Sequence, residues 1–401
     1  MQYIKKILIL SLILTLILSG CQSEKEYSYE ISIDEKLEEY DELWKFLEEN
    51  FSGYLQNLDD LGIDKNQLKK TYREKIRDTK DFDEYYRVLD MFTREFKSLG
   101  HIEVFSPDDF LRMNETYRNF EQTKKEIEKN NPGELESAEN SYKIYGSFFL
   151  NEASYDRYKE INAKSSSSDK SSKEIEEPST GNLHIRSYED EKTLYIKYKN
   201  FFDNHRAANK KLIVDKLNEF SYDKVIIDIF GNPGGNSPLW WDIVSLLTKE
   251  PIKIIQYQGF QGQEARDFSK VLVAYTDPRT VETVDNLDLI GYEYEIFPSE
   301  EVINKVEKIY IVQGDNFSAA EEFCEFLRDT GWATRIGQPI GGNGQGINYF
   351  YKLKNSDLLI RLAISYPSYF DGQLKDLTIE PDILMDYNVH DILDYVFNDK
   401  I

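Results

Sequence analysis

Cysteine, histidine and basic charge are what this chain has least of. Only Cys21 and Cys324 occur in 401 residues, so a disulfide framework is excluded. The four histidines (His101, His184, His205, His390) stand far apart with no ligand spacing. They carry no zinc signature, and no metal or cofactor is expected. Lys and Arg number 49 against 73 Asp and Glu, a formal charge of −24. That balance argues against nucleic acid as a partner and against an electrostatic grip on anionic lipid. Gly234-Gly235 is not followed by Gly-Lys-Ser/Thr, so it is no phosphate loop. No internal repeat is visible.

The longest apolar run, Ile7 to Leu18, follows Lys5 and Lys6 and ends at Leu18-Ser19-Gly20-Cys21. It is too short for a spanning helix, and the small residues closing it mark residues 1–20 as a signal peptide. The cysteine placed directly after them resembles the lipobox of bacterial lipoproteins, which implies lipidation of Cys21. The expected location is the outer face of the cell membrane, with the acyl chains supplying the grip. Residues 21–31 read as a polar tether.

Residues 32–106 read as a helical subdomain. Leu37, Tyr40, Trp44, Leu47 and Phe51 recur every three or four residues, which gives one apolar stripe. Asp64 and Asp81 precede two further stripes, Leu68-Tyr72-Ile76 and Phe82-Tyr85-Leu89-Phe92-Phe96, as caps. Residues 107–187 read as a charged insertion with a flexible Ser-rich linker through Ser165–Ser168. From 188 to 401 strand and helix patterns alternate. Strands are expected at Thr193–Tyr198, Lys224–Phe230, Ile252–Gln256, Lys308–Val312, Thr334–Ile336 and Leu358–Ser365, with a helix at Ala319–Asp329. The fold class is α/β.

Three short segments could carry chemistry. In Asp315-Asn316-Phe317-Ser318-Ala319-Ala320-Glu321 a serine sits between a strand end and a helix start. There its oxygen is held on a rigid corner, and the N–H of Ala319 can face developing negative charge. Ser-x-x-Glu is equally a capping box, with Ser318 as the cap. Gly231-Asn232-Pro233-Gly234-Gly235-Asn236 follows a buried strand, and its glycines could turn an N–H, that of Gly234, towards the same point. Leu99-Gly100-His101 closes the helical subdomain and offers the third piece.

In this order the segments resemble the tail-specific (C-terminal processing) serine peptidases, including their tricorn core branch. The matching pieces are Leu43-Trp44 to Asn50-Phe51, Gly100-His101, Asp228 to Gly235, Ser318-Ala319-Ala320-Glu321, Gly331 to Gly337 and Glu380-Pro381-Asp382-Ile383. The resemblance implies a ClpP/crotonase-like α/β core with an N-terminal helical subdomain, and a polypeptide substrate. It implies Ser318 as nucleophile and the N–H groups of Gly234 and Ala319 as oxyanion donors. In one branch of the family a lysine activates the serine, but Asn343 stands at the aligned position here. The other branch uses the histidine of the Gly-His motif, here His101, and a third acid for which Asp376 is the nearest candidate, before Asp371 and Glu380. Phe230 replaces the family's usual arginine and Ile102 its threonine. These departures leave a peptide-binding relative that does not cut as the alternative. No PDZ domain is expected in the insertion.

Overall fold

The computed structural model describes residues 30–399 apart from 56–57, 59–61, 98, 131–134, 166–181, 203–204, 277, 285–286, 305, 342–345, 370 and 374. The expected signal peptide, Cys21, most of the Ser-rich linker and Asn343 lie outside the described residues.

The expected stripes form α1 (Ile33–Asn50), a short α2 (Ser52–Leu55), α3 (Lys65–Arg77) and α4 (Phe82–Arg94). Ser32 and Glu35 close a reciprocal capping box on α1, while Asp64 and Asp81 accept from the N3 amides of α3 and α4. Tyr40, Trp44, Phe92 and Phe96 interlock in edge and tilted ring contacts with centroids 5.3–6.4 Å apart. A turn of 3-10 helix at Leu99–His101 then leads into β1 (Glu103–Val104).

The insertion is more ordered than its composition predicts. Residues up to Ser165 form α5 (Pro107–Arg118), α6 (Phe120–Asn130), α7 (Leu135–Phe149) and α8 (Glu152–Ser165). Phe110, Tyr117, Phe149 and Tyr158 bury their rings in the core shared with the helical subdomain. These few aromatics, spread through charged sequence, anchor α5, α7 and α8, and α6 joins them through Phe120, whose ring stacks on Tyr142 with centroids 4.2 Å apart.

The α/β core opens with β2 (Leu183–Tyr188), five residues before the expected boundary. It continues through β3 (Thr193–Tyr198), α9 (Arg206–Glu219), β4 (Lys224–Asp228), α10 (Pro238–Leu247), β5 (Ile252–Gln261), α11 (Gln263–Tyr275), β6 (Thr280–Val284), β7 (Leu287–Ile296), β8 (Lys308–Gln313), α12 (Ala319–Thr330) and β9 (Thr334–Gly337). The chain closes with β10 (Ile340–Gly341), β11 (Asn348–Lys352), β12 (Leu359–Ala363), β13 (Tyr366–Ser368), β14 (Thr378–Ile379), β15 (Ile383–Leu384) and α13 (Val389–Asn398).

The central sheet has six strands in the order β15-β9-β8-β4-β3-β2, parallel except for β2. Its middle strands are buried on both faces, which is why Val225-Ile226-Ile227 reads as an unbroken apolar run. Residues of α10 and α12 cover one face, and Ile392, Leu393 and Val396 of α13 the other. A second, antiparallel sheet has the order β13-β5-β7-β6, and a third the order β1-β12-β11.

The third sheet docks the helical subdomain. β1 pairs with β12 through Glu103↔Arg361 and Val104↔Ile360, directly after His101. Glu39 of α1 reinforces the joint from 1 % exposure. Its carboxylate accepts from Tyr85 Oη at 2.5 Å and from the amides of Asn355 and Ser356 at 2.9 Å, at the β11–β12 turn. Glu39→Ala leaves those buried donors without their acceptor and should cost about 3 kcal/mol, read as a lower urea midpoint.

Candidate active site

β4 and β8 lie side by side and parallel, so their following loops meet above the sheet. Two buried asparagines tie these loops together. Asn232 accepts from the Gly234 amide at 2.8 Å, donates to the Tyr198 carbonyl at 3.0 Å, and offers its own carbonyl to Phe317 N–H at 3.1 Å. Asn316 donates to the Ile229 carbonyl at 2.5 Å and accepts from Gly314 N–H at 2.8 Å. The donors and acceptors at this corner are thus paired with one another, which leaves the turn little freedom.

Ser318 sits on that turn at φ 54°, ψ −126°. An L-residue is strained there, in a region suited to glycine. Its hydroxyl makes no capping bond to α12, so the capping-box reading of Ser-x-x-Glu does not hold. Strain without a cap is the pattern of a side chain held for use. The Ala319 N–H, first in α12, has no partner among the described residues.

Ser318, Ala319, Gly235 and His101 line one cleft of about 720 Å³. The floor comes from the β4 and β8 loops and one side from Gln256, Gln258, Tyr292 and Tyr294 of the second sheet. Ser137, Asn140, Ser141, Ile144 and Tyr145 of α7 in the insertion form a further wall. That wall was not legible in the sequence.

The structure divides the expected oxyanion pair. Gly234 does approach the turn that carries Ser318 closely: a Cβ there would lie 2.8 Å from Ala319 N and from Ser318 Cβ. Its N–H, however, is taken by Asn232. The neighbouring Gly235 lines the cleft instead, and among the described residues nothing accepts from its N–H. Its tie to Phe201 uses the flanking groups, Gly234 carbonyl and Asn236 N–H.

His101 adopts φ 55° in the tight turn before β1. Its ring packs on Phe317, centroids 4.5 Å apart and tilted by 47°. Phe317, the residue preceding Ser318, therefore holds the histidine against the same corner. Burial lowers the His101 pKa to about 4, with the Arg361 guanidinium adding to the effect. The imidazole is neutral at pH 7.

The candidate third acids lie elsewhere. Asp376 is exposed and lines a separate small pocket with Glu321, Glu325 and Arg328. Its carboxylate accepts from Thr378 N–H at 2.9 Å. Asp371 accepts from Gln373 N–H, and neither it nor Glu380 lines the cleft. Among the described residues no carboxylate hydrogen-bonds the His101 ring. Phe230 has become a packing residue. It stacks on Tyr387 at 4.1 Å, beside an Asp228 carboxylate that accepts from Tyr195, Lys197 and Tyr387.

Residues 192–385 match the family described as peptidase family S41. No curated protein sequence matches the chain. Among solved structures, a candidate peptidase from Parabacteroides merdae ATCC 43184 is 16% identical, with 91% of this chain and 93% of that one aligned at a TM-score of 0.53. A lipoprotein from Streptococcus agalactiae is 13% identical over 82% of this chain and 87% of its own, at a TM-score of 0.40. The photosystem II D1 C-terminal processing protease is 15% identical over 48% of this chain and 42% of its own, at 0.33. At such identities the first of these speaks for the fold alone. The family match spans the five parallel strands of the sheet and the corner that carries Ser318, and by it residues 192–385 belong to peptidase family S41, the serine peptidases of the tail-specific type.

Proposed function

We propose that this chain is a lipid-anchored endopeptidase outside the cytoplasmic membrane, cutting polypeptides through an acyl-enzyme on Ser318 with His101 as general base. The observation that carries the reading is the uncapped, strained Ser318 at a cleft that also contains His101. His101 takes the hydroxyl proton as Oγ attacks the peptide carbonyl, then returns it to the leaving amine. The N–H groups of Ala319 and Gly235 receive the oxyanion. Water, deprotonated by the same imidazole, releases the acyl group. A serine-directed phosphonate should label wild type at Ser318. Recovery of unlabelled Ser318 from protein that digests an unfolded substrate would refute the assignment.

Only unprotonated His101 can act, so a lowered pKa extends activity towards acid. The acid limb of kcat/KM is expected near pH 4, well below the ordinary histidine value of about 6.5. Arg361→Gln removes a nearby positive charge and should move that limb to higher pH, leaving the larger effect of burial in place. A pH–rate profile on a short fluorogenic peptide reads both.

The anchor rests on Leu18-Ser19-Gly20-Cys21. Cys21→Ser should shift the protein from the membrane to the soluble fraction and remove a diacylglyceryl mass from its N-terminal peptide.

A further inference from the structure

Glu322 lies one helical turn beyond Ser318 in α12 and lines the same cleft. Ser237 stands at the start of α10, yet its hydroxyl does not cap that helix. It donates to Glu322 Oε2 instead, and the Trp240 indole N–H reaches the same oxygen at 3.4 Å. Two residues of another helix thus fix the carboxylate in place. Among the described residues nothing donates to its other oxygen, Oε1. Among the described residues the only other carboxylate lining the cleft is Glu136 on α7, and no lysine or arginine lines it.

Resting on the peptidase reading above, we infer that Glu322 sets specificity beside the nucleophile, receiving a lysine or arginine side chain of the polypeptide next to the scissile bond. A half-buried carboxylate with one oxygen engaged and, among the described residues, no lysine or arginine in its cleft lacks its natural counter-charge. Burial accordingly holds the Glu322 pKa above the usual carboxylate value. A substrate ammonium or guanidinium supplies the missing partner. The aromatic and amide walls, Tyr292, Tyr294, Gln256 and Gln258, can line the aliphatic stem of such a side chain. An acidic substrate residue would meet two carboxylates in a strongly acidic protein, so the same feature excludes it.

The test uses two peptides that differ at one position, lysine against the near-isosteric norleucine. The ratio of kcat/KM for lysine over norleucine is the readout. Wild type should favour lysine, and Glu322→Gln, which keeps acceptors for Ser237 and Trp240, should lower that ratio about 100-fold. An unchanged ratio, including equal losses on both peptides, overturns the inference while leaving the peptidase assignment standing. Binding to the Ser318→Ala variant, followed by fluorescence anisotropy, separates the two claims. If no peptide is cut but Ser318→Ala still prefers the lysine peptide and Ser318→Ala/Glu322→Gln does not, the proposed activity fails and the cation site stands. Equal binding of both peptides by Ser318→Ala overturns the site.

Discussion

Ser318→Gly should abolish peptide hydrolysis and at the same time raise the stability of the protein. Loss of the attacking oxygen is expected to lower kcat by about five to six orders of magnitude, the scale on which removing a serine nucleophile acts. The stability gain follows from the backbone. At φ 54°, ψ −126° a side chain carries strain on the order of 1–3 kcal/mol, which glycine does not. Glycine's extra freedom in the unfolded chain takes back roughly 0.5–1 kcal/mol, so a net gain of about 1 kcal/mol remains. No capping bond offsets it, because the hydroxyl accepts nothing from the first turn of α12. Were Ser318 merely a helix cap, the same substitution would leave activity alone and would not stabilise. Ser318→Ala provides the companion measurement: equally inactive, but with the strain retained and the melting temperature little changed.

Much of this corner was legible in the sequence because its signals are local. Val225 to Ile227 reads as a buried strand since both sheet faces are covered there, Lys308 to Val312 reads as a strand, and Ser318 follows the second at a strand-to-helix turn. Asp64 and Asp81 read as caps because capping needs only a neighbouring amide. What escaped depends on distant partners. The β6–β7 hairpin, Thr280–Val284 with Leu287–Ile296, mixes acidic and aromatic residues whose two faces are set by β5. The cleft-lining residues of α7 mix Glu136, Ser137, Asn140 and Ser141 with Ile144 and Tyr145, so no clean apolar pattern announces that face. Whether Gly234 or Gly235 offers its N–H is decided by the Asn232 side chain, a choice no glycine pattern reveals. Asp376 was favoured by its place shortly before Glu380-Pro381-Asp382, a linear criterion without information on direction. Its fold neighbours are Arg328 and Thr378, not His101.

Gly234→Ala tests whether the two loops really form one rigid device. A methyl group there would lie 2.5 Å from the Phe317 carbonyl oxygen and 2.8 Å from Ala319 N, both backbone atoms of the nucleophile turn. Gly234 cannot retreat easily. Its N–H is bound to Asn232 and its carbonyl accepts from Phe201 N–H at 2.8 Å. The turn bearing Ser318 must therefore move, and a displacement near 1 Å costs on the order of 100-fold in rate. Stability should fall by about 3 kcal/mol, combining overpacking with the φ of +86° that alanine tolerates poorly. Gly231 supplies the control within the same loop. It also has a positive φ, +73°, but a Cβ there would meet nothing within 4 Å. Gly231→Ala should thus cost only the strain, about 1 kcal/mol, with kcat preserved. Urea unfolding together with kcat for both variants separates the two effects. A Gly234→Ala protein as active as Gly231→Ala would mean that the β4 loop does not hold the nucleophile, and the oxyanion role given to Gly235 would fall with it.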